Sequence, residues 1–297
     1  MEFSQLRIFQ AVAEEGSITR AAERMHRVPS NLSTRLRQLE EQLGVELFLR
    51  ERQRLLLSPA GKVLLEYANR LTALRDEAVA AVHGGQPGGD FVLGTMYSTA
   101  AVHLPALLAR YHQAYPAVNL QVQARPSGEL LEGLLNHRLD AALVDGPPSL
   151  AGLDGVPLCE EELVLITSPQ HPPVNTARDV AGEAVFTFRQ GCSYRVRLEA
   201  WYAHARTPMG RVMEIESYQS MLACVIAGAG VALMARSTLD SLTGRDRVRA
   251  HRLQKPFDQA FTWLMWREGM RGANLQAWIE LQQSETIDRP SEAVACA

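Results

Sequence analysis

The sequence predicts an N-terminal winged helix-turn-helix, mostly α with a small β wing, then a long linker helix and a two-lobed α/β domain. Three observations carry this. Apolar residues recur at helical spacing in three short stretches before Gly44, and a six-residue run holding four glycines and a proline, Gly84-Gly85-Gln86-Pro87-Gly88-Gly89, closes a longer helical stripe. From Asp90 onward, strand-like and helix-like segments alternate. The boundaries read this way are 1–58 for the winged unit, 59–83 for a dimerising linker helix, 84–89 for a hinge, 90–287 for the two-lobed domain and 288–297 for a disordered tail.

In the first stretch Phe3, Leu6, Phe9, Val12 and Ala13 share one helix face, which stops at Gly16. Ser17 then caps a second helix holding Ala21, Ala22 and Met25, and Val28-Pro29-Ser30 breaks it. A third helix turns Leu32, Leu36, Leu39 and Leu43 inward and stops at Gly44, with Ser30 as its cap. Three short helices with a tight middle turn, the third polar and basic near its start, form the arrangement of a helix-turn-helix that reads DNA. Glu46 to Arg50 and Leu55 to Leu57 read as a two-stranded wing with a basic tip. Ser58-Pro59 opens a helix whose Leu64, Tyr67, Leu71, Leu74, Ala78 and Ala81 form one stripe, facing either a partner chain or the helix's own domain.

Beyond the glycine run, strands are expected at Phe91 to Met96, Val118 to Ala124 and Asp140 to Asp145, with a helix reaching Tyr115 and another over 128–137. A second group of strands falls at Glu162 to Ser168, Ala184 to Phe188, Arg211 to Glu216, Gly230 to Ala235 and Phe261 to Arg267, with helices near 194–206, 217–228 and 273–284. Such alternation implies βαβ units, a parallel sheet, and two lobes around a cleft.

At 297 residues, 46% hydrophobic and 21% charged, the chain has room for cored domains and is not disordered as a whole. A net charge of -3 excludes a wholly polybasic binder, yet residues 17–54 hold eight arginines against five glutamates. No apolar run reaches the ~20 residues a membrane span requires; the longest, Met221 to Ala235, reads as buried core. No secretory signal is legible, so a cytoplasmic protein is expected. The cysteines 159, 192, 224 and 296 show no CxxC or Cys/His spacing, and neither a metal nor another cofactor is expected. No Gly-x-Ser-x-Gly elbow or HExxH pair supports catalysis.

Phe9-x-Ala11-Val12-Ala13-Glu14-x-Gly16-Ser17-x-Thr19-x-Ala21-Ala22, followed by Leu32-Ser33, Leu36, Leu39-Glu40, Leu43-Gly44, Leu47-Phe48, Arg50, Leu57-Ser58 and Pro59-Ala60-Gly61, resembles the LysR-type transcriptional regulators of bacteria. The resemblance covers essentially the whole chain. Arg27 to Ser33, Cys192-Ser193-Tyr194 and Ser217-Tyr218 are similar, more narrowly, to the putrescine-utilisation regulators. Where the family commonly has Ser-Gln-Pro or Ser-Gln-Ser, this chain has Val28-Pro29-Ser30. The resemblance implies a homodimer or homotetramer on an interrupted palindrome in double-stranded promoter DNA, working with RNA polymerase. Base reading falls to Ser30, Asn31, Ser33, Thr34 and Arg35, since asparagine pairs bidentately with adenine and arginine with guanine. Arg37, Arg50, Arg52 and Arg54 are expected on phosphates. Ser33 can equally bond back to its own helix, and Arg35 can lie on a solvated face.

The resemblance also implies an effector domain similar to periplasmic solute-binding proteins, with a small inducer in its cleft. The matching positions are Ser98, Thr99, Ser127, Gly128 and Asp145, opposite Phe188, Arg189, Ser193, Tyr194 and Glu216. Hydroxyls and amides at helix starts favour an anion, although Ser98 and Thr99 serve equally as plain caps. Asp145 and Glu216 favour an amine, a polyamine or an amino acid. Arg189 can instead neutralise Glu216, which removes the case for a cation. A small carboxylate, a thiol redox signal through Cys192 and, last, a solute-binding receptor are the alternatives.

Overall fold

In the computed structural model, residues 1–51, 54–82, 85–147 and 150–288 are described, without the side chains of residues 50, 51, 54, 76, 77, 80, 81 and 284–288. The predicted tail beyond Asp288 lies outside the described residues. The chain divides into two compact units, Met1–Gln86 with Asn136–Arg138, and Pro87–Leu135 with Leu139–Ala297.

In the first unit, α1 (Phe3–Glu15) ends where Gly16 takes the left-handed conformation, and α2 (Ile18–Arg24) starts at Ser17, whose hydroxyl accepts from the Arg20 amide. Helix α3 (Pro29–Leu43) begins two residues earlier than expected. Val28 is its cap, Pro29 supplies the first position with φ already helical, and Ser30 lies in the first turn, so no side chain caps this helix. Leu6, Phe9, Val12, Leu32 and Leu39 are buried, but Phe3 and Leu43, both expected inside, are 46% and 39% exposed because each lies at a helix end where the core stops.

The wing is β1 (Phe48–Glu51) against β2 (Arg54–Leu57), antiparallel. Helix α4 (Pro59–Val82) is fastened to it: the Ser58 hydroxyl donates to Glu46 O at 2.7 Å and accepts the Gly61 amide at 2.9 Å. A Cβ on Gly61 would stand 2.1 Å from Leu47 O, so only glycine allows this approach. Ala68 is buried in the same core as Phe9 and Leu39, with Leu64, Leu65 and Leu71 packed against it. The helix therefore packs as part of the first unit. Tyr67 and Leu74 of the predicted stripe, with Val63 and Val79, remain exposed.

The second unit is one nine-stranded sheet in two halves. Its elements are β3 (Gly89–Thr95), α5 (Tyr97–Val102), α6 (Leu104–Ala114), β4 (Val118–Ala124), α7 (Ser127–Leu135), β5 (Ala141–Asp145), β6 (Leu153–Thr167), β7 (Val185–Thr187), α8 (Ser193–His204), β8 (Val212–Glu214), α9 (Tyr218–Ile226), β9 (Val231–Ala235), α10 (Arg236–Ser241), β10 (Arg249–Arg252), β11 (Gln259–Arg267) and α11 (Ala273–Asp288). The parallel groups β4-β3-β5 and β9-β7-β8 are the expected βαβ units. The sheet is mixed, however, because β11 is antiparallel to β5 and β6, and β6 is antiparallel to β9 and β10. Strand β6 begins nine residues before the expected Glu162. The stretch 153–162 runs along β11 while 163–166 pair with β9 and 164–167 with β10, so one strand serves both lobes. The expected helix up to Tyr115 is two helices that meet at His103.

His251 on β10 is buried. The Val174 amide donates to its Nδ1 at 3.1 Å, so the proton sits on Nε2, 2.9 Å from Thr167 Oγ1. Burial, with His171 and Arg249 nearby, holds its pKa below the ordinary histidine value. Folding thus favours the neutral ring. That contribution is complete above the unfolded pKa of about 6.5 and is lost as pH falls through the lower folded value. In His251→Asn, whose amide oxygen can still accept from Val174, urea midpoints measured from about pH 7 to 5 should fall less than in the wild type; equal falls would contradict this role.

Candidate functional site

Two surfaces collect the residues singled out in the sequence. On the first unit, Ser30, Asn31, Ser33, Thr34, Arg35 and Arg37 all lie exposed on α3, opposite the buried Leu32, Leu36 and Leu39. The four- and three-residue steps that bury the leucines leave this polar stripe free. Ser33 and Thr34 turn their hydroxyls back to Pro29 O and Ser30 O, each at 3.0 Å. Arg35 is 3.7 Å from Glu2, and Arg37 is 3.4 Å from Glu41 across one helical turn. These pairs are exposed and cost little to exchange for another anion. Arg24 is held at 2.5 Å by Glu14, which raises its pKa further, so this arginine is committed within the unit. His26 lies in the turn before α3 at φ 52, a conformation that residue type alone does not announce. Arg52 at the wing tip lies outside the described residues, as do the side chains of Arg50 and Arg54.

Within the second unit the strand ends of the two lobes meet at a cleft. Of the expected residues, Ser98, Ser127, Phe188, Ser193 and Tyr194 line it. Met96, Tyr97, Arg125, Pro126, Cys192 and Tyr218 line it as well. Tyr97 stacks on Phe188 with centroids 4.8 Å apart, and Tyr218 meets the same ring edge-on at 4.8 Å. The cavity there is about 20 Å³, space on the order of one water molecule, so a larger guest requires these rings or the lobes to part. Ser98 Oγ donates to Tyr194 OH at 3.4 Å, and desolvation pushes the Tyr194 and Tyr218 phenols upward, keeping them as neutral hydrogen-bonding groups. The N-terminal turns of α7 and α8, at Ser127 and Ser193, open on this space.

The other expected cleft residues are placed differently. Thr99 is buried but not at the lining, and the Gly128 amide donates to Gly191 O at 3.4 Å. Asp145 is turned away: Arg197 grips both of its oxygens at 2.9–3.1 Å and the Phe261 amide adds a bond at 3.2 Å. Arg189 is 3.2 Å from Glu216 and 2.9 Å from Glu129. Both carboxylates that argued for a cationic guest are thus neutralised by arginines of the chain itself. Arg197, four residues past Ser193 in α8, carries a charge whose sign is visible in the sequence, whereas the strand end it reaches is not. Among the described residues, Arg125 is the one charged side chain in the lining. It is half exposed and only 3.9 Å from Glu129, a carboxylate already engaged by Arg189. Cys192 sits in the lining, and burial pushes its thiol pKa up.

Residues 3–62 match the bacterial regulatory helix-turn-helix protein, lysR family, and residues 84–286 match the LysR substrate binding domain. The chain is 32% identical over 269 residues to the HTH-type transcriptional regulator GltR of Bacillus subtilis, covering 90% of this chain and 91% of that protein. It is 32% identical over 282 residues to the HTH-type transcriptional regulator SoxR of an Arthrobacter species, covering 94% and 96%. Among solved structures, a full-length OxyR variant from Pseudomonas aeruginosa superposes with a TM-score of 0.73 at 21% identity, covering 96% of this chain and 94% of that one. Full-length CbnR in complex with its target DNA gives 0.66 at 24% identity, covering 96% and 99%.

The Asp145–Arg197 pair makes a separable prediction. Arg197→Met should strand a buried carboxylate and cost on the order of 3 kcal/mol of unfolding free energy. Adding Asp145→Asn should restore most of it in a double-mutant cycle. Additive losses would mean that the two side chains act independently.

Proposed function

The chain belongs to the LysR family of bacterial transcriptional regulators, whose members regulate transcription and are not enzymes, and from that premise we propose that a small carboxylate, held between the lobes, governs its action at promoters. The single observation carrying the choice is the charge of the cleft: its lining offers Arg125, hydroxyls and two helix starts, while Asp145, Glu129 and Glu216 are paired with arginines. A carboxylate gains charge-assisted hydrogen bonds there, and its apolar body fits against Tyr97, Phe188 and Tyr218. An ammonium group would find no free acid in the lining. This favours the carboxylate over the amine, polyamine or amino acid, and with them over a putrescine-like inducer. A redox role for Cys192 is disfavoured by the same burial, since the thiolate is the reactive form.

On DNA, the exposed stripe of α3 is the reading surface, with Asn31 and Arg35 toward base edges and Arg37 toward phosphate. Ser30 can join them, whereas Ser33 and Thr34 must first release their back-bonds. Paired α3 helices from a homodimer, assembling further into a tetramer, place themselves on an interrupted palindrome whose spacing follows the dimer symmetry. Among the described residues no helix is long and apolar enough to cross a membrane, and work on promoters places the protein in the cytoplasm beside RNA polymerase. The ligand acts by binding two arrangements of the effector domains unequally, which shifts their populations and the spacing of the paired helices.

Calorimetric titration with matched small aromatic carboxylates, amides and amines tests the cleft. Only the carboxylates should bind, and Arg125→Gln should weaken them about 10- to 100-fold; equal or tighter binding of the amines would overturn the reading. Arg35→Ala should cost ~1–3 kcal/mol of discrimination at one G position, measured by competition between operator and mutated operators. Uniform weakening on all sequences would instead move Arg35 to the phosphates.

A further inference from the structure

A second cluster of donor groups stands where strand β6 passes from one half of the sheet to the other. Cys159 and Glu161 are two residues apart on β6, so the pleat places them on one face, and His103 approaches from the junction of α5 and α6. A ring nitrogen of His103, Cys159 Sγ and a Glu161 oxygen lie within 4.8 Å of one another. His103 Nε2 contacts Glu161 Oε1, and Ser237 on α10 donates its hydroxyl to Glu161 Oε2 at 2.7 Å. The Glu161 side chain is 6% exposed and that of His103 27%, which gives a buried anion with an open side.

We propose that His103, Cys159 and Glu161 bind a divalent transition ion with affinity for thiolate, of the Zn²⁺ or Co²⁺ kind, with Ser237 orienting the carboxylate. The donor set decides the class. Sulfur and imidazole exclude magnesium and calcium, and one S, one N and one O around a fourth open position suit a tetrahedral ion. Metal-to-ligand distances of about 2.0–2.3 Å place tetrahedral donors roughly 3.5 Å apart, within side-chain adjustment of the separations seen. The ion supplies a counter-charge to buried Glu161, and the Ser237 hydroxyl is the outer partner that ligating carboxylates keep. Because β6 serves both lobes, and α5 and α10 flank the site from either half of the sheet, the ion ties together the region where the strand passes from one half to the other. None of His103, Cys159, Glu161 or Ser237 belongs to the cleft lining.

Cobalt titration of the reduced, full-length protein tests this. One Co²⁺ per chain should bind with thiolate-to-cobalt charge-transfer absorption. Cys159→Ser should remove that absorption and Cys224→Ser should keep it. Ser237→Ala should keep the absorption while lowering affinity about 10- to 100-fold, a readout that stands even if Cys159→Ser fails to fold. A wild type without the thiolate band, a band that survives in Cys159→Ser, or unchanged affinity in Ser237→Ala would overturn the assignment.

Discussion

The second unit depends on one strand. Leu153–Thr167 belongs to both halves of the sheet, pairing with β11 along its first part and with β9 and β10 along its last. A strand shared in this way fixes the register of the two lobes at once, because a slip of one residue would turn the buried Leu163 and Leu165 out of one core and Val164 and Ile166 out of another. The cleft lies where it does because the strand ends on either side of this crossing are held by that common register.

Charge pairing decides the chemistry of the cleft more than the identity of any one side chain. Asp145 and Glu216 read in the sequence as acids at strand ends, and an acid at a strand end suggests a cationic guest. In the folded chain Arg197 and Arg189 consume them. Arg189 was legible as a competitor because it lies on the loop after β7, but Arg197 meets Asp145 only through the docking of α8, which no local pattern encodes. Hydroxyls at helix starts were easier to find: Ser127 and Ser193 follow strand-like stretches and open helices, a local signal that needs no tertiary knowledge. Tyr97, Tyr218 and Arg125 were passed over because aromatic and basic residues next to strands are common and carry no distinctive spacing.

Most of the architecture was readable for the same local reasons. Gly16 and Gly44 stop helices, Ser17 and Ser58 start them, and β4 has the bounds expected of it. The long β6 and the short β10 were not readable, since the first half of β6 is exposed or intermediate in burial and interrupted by Gly155 and Pro157, with no alternation to mark it. The antiparallel strands through the middle of the sheet escaped for a related reason: alternation of helix and strand says how neighbours in sequence connect, not which distant strand is threaded between them. In α3 the departure at Val28-Pro29-Ser30 has a physical compensation, for Pro29 brings a helical φ and no amide, leaving one fewer unpaired donor where a capping side chain would have stood.

The central claim is that an exposed α3 stripe selects DNA while a carboxylate in the cleft governs the outcome. Its most direct test is retention of fragmented host genome by the full-length protein at moderate salt, sequenced with and without small carboxylates and amines. The account predicts enrichment of one interrupted palindrome, with a footprint that carboxylates change and amines leave alone. Flat, salt-sensitive retention, or a footprint that responds only to amines, would contradict it.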